Sequence, residues 1–256
     1  MLKKITAADP IRNSVPFADE IILFNLLFRL REYENPLLVT DGVAIFAAQT
    51  SPDMPAWIWT GKKANTQTLR ALCADYGITK VTMKENMLPA LEGEWKITHR
   101  LLANVCDNFI APTHVEGYAD RPIASDAAVI AEGFAGFHRE AMNETLGVEE
   151  RAQAAARSFE NKDFIIWRTK NHELAAFASA QHRTDQHARI NMVYTYPHLR
   201  GNGYAGAAVA HLCAGIISEG LTPMLYTDAM YFSSNRAYQK VGFTPVGEVV
   251  TAAQTL

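Results

Sequence analysis

Apolar side chains recur along the chain in short blocks whose spacing predicts alternating strands and helices. Ile21, Ile22, Phe24, Leu27 and Phe28 fall on one helical face. Leu37-Leu38-Val39-Thr40 and Val43-Ala44-Ile45-Phe46-Ala47 flank Asp41-Gly42, which predicts a hairpin with Asp-Gly at its turn. Trp57 to Thr60 reads as a further strand, Asn65 to Asp75 as a helix stopped by Gly77, and Trp95 to Val105 as a loosely alternating strand. The stretch Asn108 to Glu116 contains Pro112, lacks periodicity and is read as a linker. A strand from Tyr118 to Ile123 follows. Two helices come next, Asp126 to Met142 with Phe134, Phe137 and Ala141 on one face, and Val148 to Phe159. Phe164 to Arg168 and Leu174 to Gln181 then form strands joined through Lys170-Asn171-His172-Glu173.

The richest block runs from Arg189 to Gly206. Ile190 to Tyr196 carries β-branched, aromatic and long apolar residues suited to a buried strand, and Pro197 ends it because proline cannot donate to a ladder. After Arg200-Gly201-Asn202-Gly203, the residues Val209, Leu212, Cys213 and Ile216 follow helical spacing up to Gly220, with Pro223 beyond. Strand, glycine loop and helix N-terminus together bind phosphate, since free backbone N–H groups and the positive dipole end face one point. Gly201 and Gly203 let backbone approach a ligand closely, and Arg200 adds a positive charge. A strand from Pro223 to Asp228, a short helix that Ser233 or Ser234 can cap, Gly242 at its end and a last strand from Phe243 to about Val250 complete the pattern.

Composition narrows the partners. The 256 residues are 48% hydrophobic, enough for a substantial core, and 24 basic against 27 acidic residues leave a net charge of −3. With no run of Lys or Arg, neither nucleic acid nor an anionic membrane is the expected partner. Cys73, Cys106 and Cys213 form no metal-ligand spacing, so no metal is expected. Their odd number, and Asp9, Pro10 and Arg12 where a leader would need an apolar core, point to the cytoplasm. The run from Ile21 to Leu30 is too short to span a bilayer.

Gly201-Asn202-Gly203-Tyr204-Ala205-Gly206 matches the dinucleotide fingerprint G-x-G-x-x-G. Pro197-His198-Leu199-Arg200, however, separates the strand from the glycines, and the acidic residue at the expected distance, Glu219, falls at a helix end instead of a strand end. Arg200-x-x-Gly203-x-Ala205, preceded by Val193-Tyr194-Thr195, resembles the coenzyme A loop of the GCN5-related N-acetyltransferase (GNAT) superfamily. Asn235-x-x-Tyr238-x-x-x-Gly242-Phe243 resembles its second hallmark. Over about 118–256 the order of elements is also that of the superfamily.

The resemblance implies an α/β (α+β) GNAT fold, a mixed central sheet flanked by helices over 118–256, preceded by an additional α/β domain over 1–116 that faintly echoes it. It implies acetyl-CoA as co-substrate. The backbone of Arg200, Gly201, Asn202, Gly203, Tyr204 and Ala205 would hold its diphosphate, and Val193, Tyr194 and Thr195 would pair with its pantetheine arm, the Val193 N–H facing the thioester oxygen. Tyr238 would protonate the leaving thiolate, and Asn235 would bond the pantetheine arm or cap its helix.

No general base is legible. Where many relatives carry a glutamate on the central strand, this chain has Asn191 and Met192, and Asp228, His182, His187 and Glu140 are alternatives with structural explanations of their own. Cys213 faces the core by its spacing and is a poor nucleophile. The expected activity is therefore direct acetyl transfer to an amine of a small molecule or peptide, by a monomer or homodimer. A non-catalytic acyl-CoA sensor is the alternative, and a dinucleotide oxidoreductase a distant third. In the first half, Gly61-Lys62-Lys63-Ala64 offers one glycine and two mobile charges, and no tyrosine lies between Thr79 and Met87. Calorimetric titration should accordingly give one acetyl-CoA per chain, and two sites of comparable affinity would contradict this.

Overall fold

The computed structural model describes residues 1–6, 20–30 and 32–255. Asp9, Pro10 and Arg12 lie outside the described residues. The chain divides into two compact units, one of Met1–Asn104, Tyr226–Tyr231 and Pro245–Leu256, the other of Val105–Leu225 and Phe232–Thr244.

The first unit begins with β1 (Lys3–Lys4), α1 (Leu26–Leu30), β2 (Leu37–Thr40), β3 (Ile45–Gln49) and β4 (Ala56–Thr60). Between β2 and β3 the turn is longer than an Asp-Gly pair. The Asp41 carboxylate accepts the N–H groups of Val43, Ala44 and Ile45 at 2.8–2.9 Å, so an Asx-type loop replaces the two-residue turn. Helix α2 (Thr66–Tyr76) is capped by Asn65 and stopped by Gly77. Strand β5 (Lys80–Met83) follows, which periodicity did not reveal because only four residues carry it. Strand β6 (Trp95–Val105) comes after it.

The second unit contains β7 (Tyr118–Asp120), α3 (Ala127–Phe137), α4 (Val148–Glu160), β8 (Phe164–Arg168), β9 (Leu174–Arg183), β10 (His187–Thr195), α5 (Tyr204–Ser218), β11 (Thr222–Asp228) and α6 (Phe232–Val241). The last residues of β11 are counted with the first unit. Its strand order is β11-β10-β9-β8-β7, antiparallel except for the parallel pair β10–β11. One face of this sheet presents Ala178, Ala180, Ala188 and Ile190, and the three alanines let α5 seat Val209, Leu212, Cys213 and Ile216 directly on it. The other face carries Phe164, Ile166, Phe177, Tyr194 and Tyr196 under Ile130 and Phe134 of α3 and Ala155 of α4.

Strand β12 (Thr244–Gln254) ends the chain and, from Pro245 on, is counted with the first unit. It pairs with β5, and the first unit's order is β1-β2-β3-β4-β5-β12-β6. Val249 is buried in one cluster of that unit, and Val250 and Ala252 in another, so β12 is a strand that needs cover on both faces. The first unit also repeats a sequence of pairings seen in the second. Antiparallel β2-β3-β4 leads through α2 to β5, parallel to β4, as β8-β9-β10 leads through α5 to β11.

Helix α3 lies unusually close to β10. A Cβ on Gly136 would stand 2.2 Å from the Tyr194 hydroxyl, and one on Gly133 would stand 2.5 Å from that of Tyr196, which donates to the Val129 carbonyl at 2.7 Å. Beyond Phe137 the expected α-helix widens into a π-turn, His138–Met142, and this carries Ala141 off the buried face into solvent. Gly136→Ala should lower the unfolding free energy by about 1–3 kcal/mol through overpacking. Gly215→Ala, on α5 with open space around it, should raise it by about 0.5–1 kcal/mol. Urea denaturation of the two variants distinguishes a glycine required by contact from one that is not.

Candidate active site

Strands β10 and β11 pair only at their beginnings, His187 with Thr222, Ala188 with Pro223 and Arg189 with Met224. From Ile190 onward β10 runs without β11 at its side. On its other edge the ladder with β9 steps from Asn191↔Ser179 to Tyr194↔Phe177, three residues against two. This is a β-bulge at Met192–Val193, and Met192 has φ +51°, a conformation costly for a side chain of its size. The expected regular strand is thus bent at the centre, and the backbone groups of Met192 and Val193 lie outside both ladders.

Past Thr195 the chain makes a single 3-10 turn, Pro197–Leu199, and reaches the glycine loop. Gly201 (φ +83°) and Gly203 (φ +82°) are both left-handed, and Gly203 occupies the N-cap of α5 with no side chain to cap the helix. Nothing stands within 4 Å of a Cβ placed on Gly201. The first N–H groups of α5, from Tyr204 and Ala205 onward, have no side-chain cap at the positive end of a 15-residue helix. This cradle fits a diphosphate. The corresponding loop of the first unit does not. The Asn65 side chain already accepts the Thr68 N–H at 3.1 Å, and a Cβ on Gly61 would meet the Trp59 ring at 2.9 Å, so that glycine serves packing.

Arg200 does not sit in the cradle as a spare charge. Its Nη2 donates to both Glu140 carboxylate oxygens at 2.8 and 2.9 Å, its Nε donates to the Thr195 carbonyl at 3.0 Å, and its guanidinium lies 5.6 Å from the Tyr194 ring centroid. The positive charge expected there is compensated by a carboxylate from the π-turn after α3. Asn202 folds back on the carbonyls of Leu199 and Arg200 at 3.0 and 3.3 Å, which stabilises the loop. No sequence spacing signals the Arg200–Glu140 pair, since 60 residues separate its members.

Tyr238 lies on α6, its ring edge-on to Phe243 at 6.1 Å, and packs against the same core cluster as Val193. Burial pushes its phenol above the usual tyrosine range, so it remains a proton donor through neutral pH. Helix α6 begins at Phe232, which places Ser233 and Ser234 in its first turn and makes Asn235 a fourth helical residue instead of an N-cap. The Asn191 Oδ1 is buried without a hydrogen-bond partner, while its Nδ2 reaches Gln181 at 3.4 Å.

The alternative bases fare poorly. Glu140 is held by Arg200. His187 is pushed down by burial, His182 contacts Arg189 through its ring, and Asp228 Oδ1 accepts the Met230 N–H at 2.8 Å. Cys213 is fully buried, and its hydrogen bond with Cys106, with burial, raises its thiol far out of the reactive range. Among the described residues no three His, Cys, Asp or Glu side chains gather to hold a metal ion, and no helix is long and apolar enough to cross a membrane.

The second unit is thus an α/β domain with an opened sheet and a glycine-led helix N-terminus without a side-chain cap. Residues 132–243 match the sequence model of the acetyltransferase (GNAT) family, a family that uses acetyl-CoA. Similar solved structures extend the likeness of fold to the whole chain. A GNAT-family acetyltransferase from Colwellia psychrerythraea superposes with a TM-score of 0.62 at 12% identity, covering 100% of each chain. A GCN5-related N-acetyltransferase from Sphaerobacter thermophilus gives 0.69 at 14% identity, over 98% of this chain and 94% of its own. One from Kribbella flavida gives 0.59 at 16% identity, over 95% and 97%. No curated protein sequence matches the chain.

The Arg200–Glu140 pair is half-exposed, so its geometry matters more than its energy. A double-mutant cycle of Arg200→Gln and Glu140→Gln should show a coupling of about 0.5–1 kcal/mol in urea unfolding. A coupling near zero would show that the two side chains merely lie side by side.

Proposed function

We propose that the protein is an acetyl-CoA-dependent N-acetyltransferase that passes the acetyl group directly to an amine of a small molecule or peptide. The observation that carries this reading is the continuous run of freed backbone along one strand: a bulge at Met192–Val193, an edge without β11, and the uncapped N-terminus of α5 behind two left-handed glycines. The coenzyme supplies an activated thioester. Overall, a C–N bond forms to the acetyl carbon as the C–S bond breaks, the thiolate gains a proton and the amine loses one.

The chain's own groups then take the following roles. The N–H groups from Arg200 to Ala205, including Gly201, Asn202, Gly203 and Tyr204, hold the diphosphate. The open edge of Val193, Tyr194 and Thr195 pairs with the amides of the pantetheine arm as an added strand would. The Val193 N–H, released from the ladder by the bulge, faces the thioester oxygen, where developing charge strengthens the bond. Tyr238, held protonated by burial, gives the proton to the leaving thiolate. Asn235 bonds the pantetheine arm. With Glu140 engaged and no carboxylate at Asn191, the amine's proton leaves through water.

Thiol release from acetyl-CoA, assayed against polyamines, amino acids, aminoglycosides and peptide N-termini, tests the reading. At least one class should support turnover. Tyr238→Phe should then lower kcat by roughly 10²-fold with little change in coenzyme affinity. Unaltered turnover would reduce Tyr238 to packing, and coenzyme binding without thiol release for any amine would replace the transferase with a sensor.

A further inference from the structure

The segment between β6 and β7, expected to be a linker, is tied to the second unit at both ends and across its middle. Near its start, a Cβ on Gly242 would stand 1.9 Å from the Asn108 carbonyl oxygen, and the Ile110 N–H donates to the Val241 carbonyl at 2.9 Å. Phe109 packs on the core beneath α5. Near its end, Trp167 Nε1 donates to the Glu116 carbonyl at 3.1 Å, and the Glu116 carboxylate meets Lys170 at 3.0 Å. Between these anchors the backbone turns through His114 (φ +66°), and Val115 reaches the glycine loop, its Cγ2 3.2 Å from the place of a Gly203 Cβ.

We infer that residues 108–117 are a strap along the rim of the coenzyme cradle, and that Val115 is a positioning residue that holds Gly203 in its left-handed conformation while standing beside the bound diphosphate. This rests on the proposed coenzyme reading and adds to it a residue far from both sequence motifs. The physical reason is preorganisation. A loop with two glycines has more conformations to lose than one of ordinary residues, and several N–H groups must converge on one anion. A half-buried branched side chain against the N-cap glycine limits those conformations at little cost to access, because Gly201, two residues away, remains open.

Calorimetric titration of the full chain with CoA, at low and high salt, separates positioning at the cradle from a general contribution to the fold. Val115→Ala should raise Kd roughly three- to tenfold with the melting temperature nearly unchanged. Val115→Asp and Val115→Lys lose the same packing but bring opposite charges to the rim. At low salt the aspartate variant should bind at least about tenfold more weakly than the lysine variant, and the gap should narrow at high salt as screening shortens the reach of both charges. Equal weakening by both, at either salt, would overturn the inference while leaving the coenzyme reading intact. An unmodified protein that binds no CoA would overturn the reading itself, and the strap's role with it. Should Val115→Asp not fold, the alanine and lysine variants decide: tighter binding by lysine than by alanine, lost at high salt, supports the inference, and no difference overturns it.

Discussion

Two parallel strands that pair for three residues and then part set the conditions for everything else in the second unit. Alternate residues of β10 beyond Arg189 turn an N–H and a carbonyl to the edge that a continuous sheet would have satisfied through β11. Leaving that edge open is unfavourable unless water or a ligand takes the place of the missing strand. The bulge at Met192–Val193 extends the deficit to the opposite edge, at the further cost of a left-handed methionine. Strain and unpaired backbone thus coincide at one point of an otherwise tightly packed sheet. A molecule with strand-like amides answers that deficit along its length.

Around this opening the helices are placed by side-chain size. Alanines on β9 and β10 admit α5 to one face, and glycines on α3 admit the hydroxyls of Tyr194 and Tyr196 on the other. The π-turn at the end of α3 then brings Glu140 to Arg200, which in turn grips the last carbonyl of β10. In the proposed reading the cradle would attract an anion through backbone N–H groups and the dipole of α5, with the nearby guanidinium already paired with Glu140. Fixed donors of this kind discriminate by geometry more than by total charge.

Much of this was legible in the residues. The buried positions of α5 followed from its periodicity, its start from Gly203 and its end from Gly220, and the element order of the second unit from the alternation of apolar blocks. Other features had no local signature. A bulge needs no glycine or proline, so Met192 looked like any strand residue. Four residues, Lys80–Met83, are too few for a period to emerge. The pairing of Arg200 with Glu140 and of Gly203 with Val115 depends on tertiary placement across 60 and 88 residues. The segment containing Val115 reads as a linker because it lacks periodicity, yet isolated contacts from its backbone and from Phe109, Val115 and Glu116 hold it. The place of the last strand in the first unit has no local signature either, because continuity along the chain is a weak guide where a strand is apolar on both faces.

That last strand has a consequence for how the chain comes into being. During synthesis the first hundred residues emerge early, but the sheet they build lacks the strand between β5 and β6 until Thr244–Gln254 leaves the ribosome. For that interval β5 has an unpaired edge exposing Val81 and Met83, residues that end fully buried. The second unit, whose residues are complete by Thr244, can settle first although it is encoded later. The order of emergence and the order of completion are therefore reversed, and the nascent first unit is the part of this protein with most to gain from a chaperone.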